Sequence, residues 1–385
     1  QILSSTGSAD IRKEILDRDI SQIYVFENRK KIFDIHSSWR FMLLTLKNSI
    51  GPDKFPVGFY LHHLSSLRDS SKEKEKFGEH SKEEIKKMFP ASFIIPEGVN
   101  DPSFKMYKHP KLNECLGRDL TISFSSGFNK TNDFDLFRED RRGWPIHEGK
   151  TIHQYNNEWS KPRFTARQRA GLEREGKPKY GELHREFYDS YRLVFRDISG
   201  TTNMRTVVAT IIPPRNFHTN ALISIMIKRD ENLLLDSEYI ENISYLSGVF
   251  NSLSFDFVIR KIIQIHVPAV IKKAPIPPKH KEIAKLATQL TVGHPDFEGL
   301  AEMMRIPNHS LTVSQRIDTA AKLDVLVAKS YDLNKDEYET ILKSFTAFKE
   351  NPALRDINEI TWNNQNLKEF YGEMCKKALE IFDDT

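Results

Sequence analysis

The 385-residue sequence predicts a mixed α+β protein, and three observations carry that expectation. Short β-prone runs recur in the first sixty or so residues, at 23–26, 31–35, 39–46 and 57–61. Apolar residues alternate at Leu193 and Phe195, and again at Val207, Ala209 and Ile211, the period of half-buried strands. Beyond these the spacing changes to three and four through Ile243, Leu246, Phe250, Leu253 and Phe257, which marks a helix. The order of the signals divides the chain into an N-terminal α/β part (1–130), a central strand-rich part (131–278) and a helical part (279–385).

Composition narrows the classes. Hydrophobic residues at 39% and aromatics at 11% suffice to build cores, and a net charge of +4 is only mildly basic. Any binding of nucleic acid must therefore come from local patches. Cys115 and Cys375 form no C-x-x-C pair and suit a reducing cytoplasm. No apolar run approaches the roughly 18–20 residues of a membrane span, and no signal-peptide layout opens the chain. A start at Gln1 instead of Met suggests a piece of something longer.

Taken in order, 39–46 is nearly all apolar (Trp39, Phe41, Met42, Leu43, Leu44, Leu46), as in a strand or helix buried on both sides. Residues 70–87 are charged with mixed sign, a solvated helix or loop. Pro52-Asp53 with Glu84-Ile85-Lys86 formally matches a metal-dependent nuclease pattern, but one loose enough to arise in any lysine- and glutamate-rich helix. Thr131-Asn132-Asp133 reads as a turn that hydrogen-bonds its own backbone. Residues 220–228 form a third strand candidate, and one long helix is predicted over about 236–263. Pro275, Pro277 and Pro278 then stop the secondary structure and read as a hinge. Amphipathic helices follow at 317–328 and 367–382. Between them, Asn334 with Glu337 makes a capping box ahead of Tyr338, Ile341, Leu342 and Phe345.

The stretch 145–214 carries the functional signal. Lys161, Arg163, Arg167, Arg169, Arg174, Lys177 and Lys179 stand against only Glu173 and Glu175, with Trp159, Phe164 and Tyr180 nearby. Cations interleaved with flat rings suit a polyanion with stackable bases. A solvated charged loop is the competing account.

Several segments also carry a resemblance. Glu148-Gly149-Lys150 with Ile152-His153-Gln154-Tyr155, Arg192-Leu193-Val194-Phe195-Arg196-Asp197-Ile198, and Asn203-Met204-Arg205-Thr206 leading into Ile211-Ile212-Pro213-Pro214 resemble one known region. It is the target-recognition region of single-chain type IIG restriction–modification enzymes and their N6-adenine DNA methyltransferase relatives. The likeness extends to Lys31-Ile32-Phe33-Asp34-Ile35, to Thr131-Asn132-Asp133-Phe134-Asp135-Leu136-Phe137 and to Tyr331-Asp332-Leu333-Asn334.

This resemblance implies that 1–130 is the end of a methyltransferase-type α/β domain with its connector, 131–278 a DNA target-recognition domain, and 279–385 a helical C-terminal segment. The implied partners are double-stranded DNA and an upstream methyltransferase domain of the same protein, with no membrane. On the residues alone, Arg163, Arg167 and Arg169, with Gln154 and Asn156 as bidentate-capable amides, are the best candidates for DNA contact. Lys150, Arg174, Lys177 and Lys179 join them, and Arg196, Asn203 and Arg205, beside Asp197, are assigned to phosphate. For these last four an Arg–Asp pair bracing two strands is the equal alternative.

No catalytic or metal-binding residue is assigned. An Asn/Asp-Pro-Pro-Tyr/Phe loop is missing, because Pro213-Pro214 follows Ile212, Pro277-Pro278 follows Ile276, and Asn351-Pro352 precedes Ala353. S-adenosylmethionine, and Mg²⁺ if a nuclease is present, are expected in the parent protein and not in this segment. Other readings are a methylation-only phage-defence enzyme of similar layout, a stand-alone nucleic-acid-binding module, and a structural interaction module.

Overall fold

A computed structural model of the chain describes residues 2–385 apart from 4–5, 36–38, 91, 100, 118, 141, 176–184, 201–202, 231, 264–265, 346–360 and 363–364. The fold is α+β, as the sequence predicts, and the chain divides into two units, Gln1–Phe104 and Lys105–Thr385.

The first unit runs α1 (Ala9–Asp17), β1 (Asp19–Glu27), β2 (Arg40–Lys47), β3 (Lys54–Leu61), β4 (Phe77–Ser81) and α2 (Lys82–Met88). Its sheet has the order β2-β1-β3-β4, with β1 and β3 parallel and the other pairs antiparallel. Ile23, Val25 and Phe26 of β1, Phe55, Val57 and Phe59 of β3 and Ile85 of α2 are all buried. Asp53 accepts from Ser81 Oγ (2.7 Å) and from the Glu83 amide (2.9 Å), which fixes the start of α2. Lys86 pairs with Asp17 at 2.6 Å. The nuclease-like pattern is thus used for a helix cap and a surface pair.

Two expectations fail here. Residues 31–35 form no strand, because the buried Asn28 captures them: its Nδ2 donates to the Phe33 and Ile35 carbonyls (3.0 and 2.8 Å) and its Oδ1 accepts from the Phe33 amide. The run 39–46 does contain a strand, β2, but one at the sheet edge and not buried on both sides. Trp39 is 64% exposed, Leu43 38% and Leu46 39%, and Phe33, Ile35 and Ile50 nearby are also exposed.

The single turn α3 (Ser103–Met106) stands at the division. In the second unit β5 (Leu120–Ser126), β6 (Trp144–His147), β7 (Phe164–Ala166), α4 (Gln168–Glu175) and α5 (Arg185–Tyr188) come first. Then follow β8 (Arg192–Arg196), β9 (Ala209–Ile212), β10 (Phe217–His218), β11 (Leu222–Arg229) and β12 (Asn232–Leu233). The helices are α6 (Ser237–Asn251), α7 (Leu253–Ile262), α8 (Val267–Ile271), α9 (Lys281–Thr291), α10 (Glu298–Met304), α11 (Val313–Ser330) and α12 (Lys335–Ser344). A short hairpin of β13 (Thr361–Trp362) and β14 (Gln365–Asn366) leads into α13 (Leu367–Ile381). β11 pairs antiparallel with β5, β8 and β12, and β8 with β9, giving a five-stranded sheet. A separate small sheet places β6 between β10, parallel to it, and β7, antiparallel.

The single helix predicted over 236–263 is two. Ser252 takes an extended backbone (ψ 154°), and its Oγ accepts from the Phe255 amide to cap α7. The Leu253 amide, freed by the break, donates to Asp324 Oδ2 of α11 at 2.9 Å. α6 packs so closely on α9 that a Cβ at Gly248 would come within 2.7 Å of Ile283 Cγ2. The prolines between these two helices are pinned inside the unit. The Tyr331 hydroxyl donates to the Pro275 carbonyl (2.8 Å), the Tyr245 hydroxyl to that of Pro277, and the Ile276 amide to Pro110 (2.8 Å). The capping box at α12 forms as predicted, with Asn334 and Glu337 exchanging backbone-to-side-chain bonds of 2.9 Å.

Candidate nucleic-acid interface

The small sheet and its helix organise the basic tract. Phe128, Ile146, Phe164, Ala166, Tyr188 and Phe217 form a buried cluster, with Phe137, Trp144 and Leu172 packed against it. α4 lies directly on that cluster: a Cβ at Gly171 would meet the Phe217 ring at 2.5 Å, so only glycine fits. Since Phe164, Thr165 and Ala166 are buried, the residues on either side of this short strand, Arg163 and Arg167, turn outward.

The exposed cations gather here. Arg163 pairs with Glu139 (2.8 Å) and lies over the Phe164 ring at 5.0 Å. Lys130 reaches the same ring at 5.7 Å and pairs with Glu148 at 2.6 Å, and Lys150 stands 3.6 Å from the other oxygen of Glu148. Arg169, on the first turn of α4, pairs with Glu173 at 2.8 Å, while Lys161 and Arg167 are exposed. The Arg163–Glu139 and Arg169–Glu173 pairs are exposed and contribute only about 0–1 kcal/mol each, so a phosphate displaces those carboxylates at little cost, whereas Lys130 and Lys150 balance a buried Glu148.

Other candidates are placed differently, and three are corrected. Gln154 is buried; its Nε2 donates to the Val207 and Asn251 carbonyls (both 3.2 Å) and its Oε1 accepts from the Tyr371 hydroxyl. Arg174 is buried and pairs with Asp133. Arg205 is buried too, donating to Asp256 Oδ2 (2.7 Å) and to the Asn251 and Ser252 carbonyls (2.7 and 2.9 Å). These three brace the fold and do not face solvent. For Arg205 the bracing account holds, with Asp256 as the acid in place of Asp197.

Arg196 is half-buried and donates to the Ile152 carbonyl at 2.6 Å, and burial pulls its pKa below the usual arginine value. Asn156 is half-buried, its Oδ1 accepting from the Glu158 amide (2.8 Å). Asn203 is exposed and donates to Ser199 Oγ (3.1 Å). Lys177 and Lys179, with Tyr180, lie outside the described residues. The other two aromatics of the tract turn inward, Phe164 into the cluster and Trp159 against His153, with ring centres 4.5 Å apart.

Sequence reasoning passed over Lys130, Phe134 and Phe137. Phe134 is 55% exposed, in the segment 131–137 that the sequence offers as a turn and a point of resemblance but not as a site. The available signal was the Phe134/Phe137 spacing of three next to Lys130.

A cleft of about 550 Å³ beside β6 is lined by His147, Glu158, Asp189, Arg215 and Asn216 among others. His147 has both ring nitrogens engaged, by Thr151 Oγ1 (3.2 Å) and Asn216 Oδ1 (3.0 Å), and burial pushes its pKa down to about 4. Burial raises both thiols, Cys115 and Cys375, to about 12, which leaves them inert as nucleophiles. Among the described residues no group of three or more His, Cys, Asp or Glu is placed to hold a metal, and no helix is long and apolar enough to cross a membrane.

No family model matches the chain, and no curated protein sequence matches it. Among solved structures it is similar to the type IIL restriction-modification enzyme MmeI, solved in complex with DNA. That match has a TM-score of 0.43 and 10% identity, covering 90% of this chain and 48% of the other. It is also similar to the type IIG restriction endonuclease BpuSI, with a TM-score of 0.35 and 13% identity, covering 100% of this chain and 47% of the other. The chain thus spans about half the length of each.

Proposed function

We propose that this chain is the DNA-recognition part of an N6-adenine DNA methyltransferase, of the type IIG restriction–modification layout. The observation that carries the proposal is the cluster of exposed cations, Lys130, Lys150, Lys161, Arg163, Arg167 and Arg169, held on the rim of the β10-β6-β7 sheet by a rigid aromatic core. Arg163 and Arg169 are held only by exposed pairs with Glu139 and Glu173, and Lys161 and Arg167 are exposed, so these four cations are available to phosphates. The sequence resemblance between Lys31 and Phe345 supports the same reading.

Pro213-Pro214 follows Ile212 and Pro277-Pro278 follows Ile276, so neither pair carries the Asn or Asp that would accept a flipped adenine's amine. The Pro213 and Pro214 carbonyls accept from Asn216 Nδ2 and that of Pro277 from the Tyr245 hydroxyl. S-adenosylmethionine, and Mg²⁺ for any cleavage, belong in this proposal to an upstream domain. The edge strand β2 supports that reading. It is an open sheet edge whose sequence is that of an interior strand, and such an edge calls for a cover.

The test is the salt dependence of duplex binding by the 385-residue chain between about 50 and 200 mM salt. Among R163A, R167A and R169A, each that removes a phosphate contact is expected to flatten the log-affinity versus log-salt slope by about 0.9. One of them is expected to cost about 1–3 kcal/mol on the true site alone, as a base reader does. A slope unchanged by all three substitutions would overturn the assignment of this face.

A further inference from the structure

Phe134 is the aromatic ring of this face that the fold leaves outside. It sits on a one-turn 3-10 helix, Phe134–Leu136, that the surrounding bonds hold rigidly. Asn129 Oδ1 accepts from the Thr131 and Asn132 amides (both 3.0 Å), and Asp133 Oδ2 accepts from the Asn129 amide (2.7 Å). Arg174 grips the same Asp133 from beneath, with its guanidinium 5.4 Å from the Phe128 ring. The Phe134 ring leans on two others, Phe137 at 5.8 Å and Phe164 edge-on at 6.0 Å between centres. Around that support stand Lys130 and Arg163, both over the Phe164 ring and both exposed.

An isolated exposed phenylalanine needs no explanation. One braced by two further rings, fixed by a buried ion pair and flanked by two cations is a different object. Its surface is apolar and flat, its surroundings suit phosphate, and its position is fixed before any ligand arrives. A protein partner would gain little from two cations beside one ring. A nucleic acid uses both, because each base carries a flat face and each nucleotide a phosphate.

We infer that Phe134 stacks on a base step of bound duplex DNA, as a wedge, with Lys130 and Arg163 holding phosphates on either side of it. This inference rests on the proposed DNA-recognition reading and names the residue through which that face touches bases without hydrogen bonds. Stacking is insensitive to salt, whereas phosphate contact is not. The two parts of the site therefore separate in one experiment.

The probe is a mixed-sequence duplex of about 30 base pairs, long enough for several of the roughly 1.7 Å charge spacings along its axis to meet the cations, carrying a fluorescein at one end for anisotropy. A second copy carries 2-aminopurine, whose emission rises when it is unstacked from its neighbours. F134A is expected to weaken binding by about 5-fold or more with the salt slope unchanged, and F134W to bind as wild type does. The rise in 2-aminopurine emission seen with wild type should be lost with F134A and kept with R163A. Equal thermal unfolding of F134A and wild type excludes a folding defect as the cause. If F134A binds within about 2-fold of wild type while R163A still flattens the slope, the face binds DNA and the wedge is refuted. If wild type shows no duplex binding at all, the recognition reading falls and the wedge with it.

Discussion

Replacing Arg205 by methionine should damage stability and leave the DNA-facing surface intact, which separates the buried arginines of this fold from the exposed ones. The Arg205 side chain is 2% exposed and that of Asp256 0%. Removing one partner of such a pair strands the other as a buried charge, which costs about 3–5 kcal/mol. Asp256 keeps two other donors after R205M, Arg260 Nε at 3.1 Å and the Thr206 amide at 3.0 Å, so the lower end of that range, about 3 kcal/mol, applies. D256L removes the acceptor from two arginines and from that amide together. Its cost belongs at the upper end, about 5 kcal/mol, and the double variant should cost less than the two single losses added. Urea unfolding of the chain, followed by circular dichroism, measures all three. A loss below about 1 kcal/mol for R205M would refute the reasoning, because that is the scale of an exposed pair.

Two further outcomes follow from other parts of the molecule. Burial pushes His147, His153 and His218 down to about 4, 3 and 3, so they are neutral when folded and take up protons on unfolding. Their stabilising contribution is full above an unfolded value near 6.5 and is lost as pH falls toward the folded values, at up to about 1.4 kcal/mol per unit for each. Asp324, pushed up by burial to about 6, opposes them between about 4 and 6, which leaves a net uptake of about two protons near pH 5. Stability that increases between pH 7 and pH 5 would contradict this. Asn334→Ala should lower stability by about 1 kcal/mol through loss of the α12 cap, and an unchanged urea midpoint would count against the capping box.

What the sequence makes legible here is local. The strands β8 and β9, the three-and-four spacing in α11 and α12, and the Asn334/Glu337 cap depend on neighbours within a few residues and are found where they are predicted, although β9 begins only at Ala209 and both strands are buried on both faces where the alternation predicts half-buried ones. Features that depend on distant partners are not legible. Gln154, Arg174 and Arg205 read as DNA contacts because nothing nearby in the chain announces Tyr371, Asp133 or Asp256 as their partners. The strands β6, β7 and β10 have two to four residues each, too few for a period to register. At 31–35 the apolar run has β propensity, yet one buried asparagine outbids it with three hydrogen bonds to the backbone. The Ser252 break is hidden because the apolar spacing runs through it without interruption.

The bond from the Tyr371 hydroxyl to Gln154 joins residues 217 positions apart. Until α13 has been synthesised and docked, the buried amide of Gln154 lacks one of its partners. Neighbouring residues cannot close such a contact, which forms only once the distal helix is present. A chain stopped after α12 would lack Leu367, Phe370, Tyr371 and Met374, which α13 buries, and would leave uncovered the apolar surface they pack on, the kind of surface that chaperones bind.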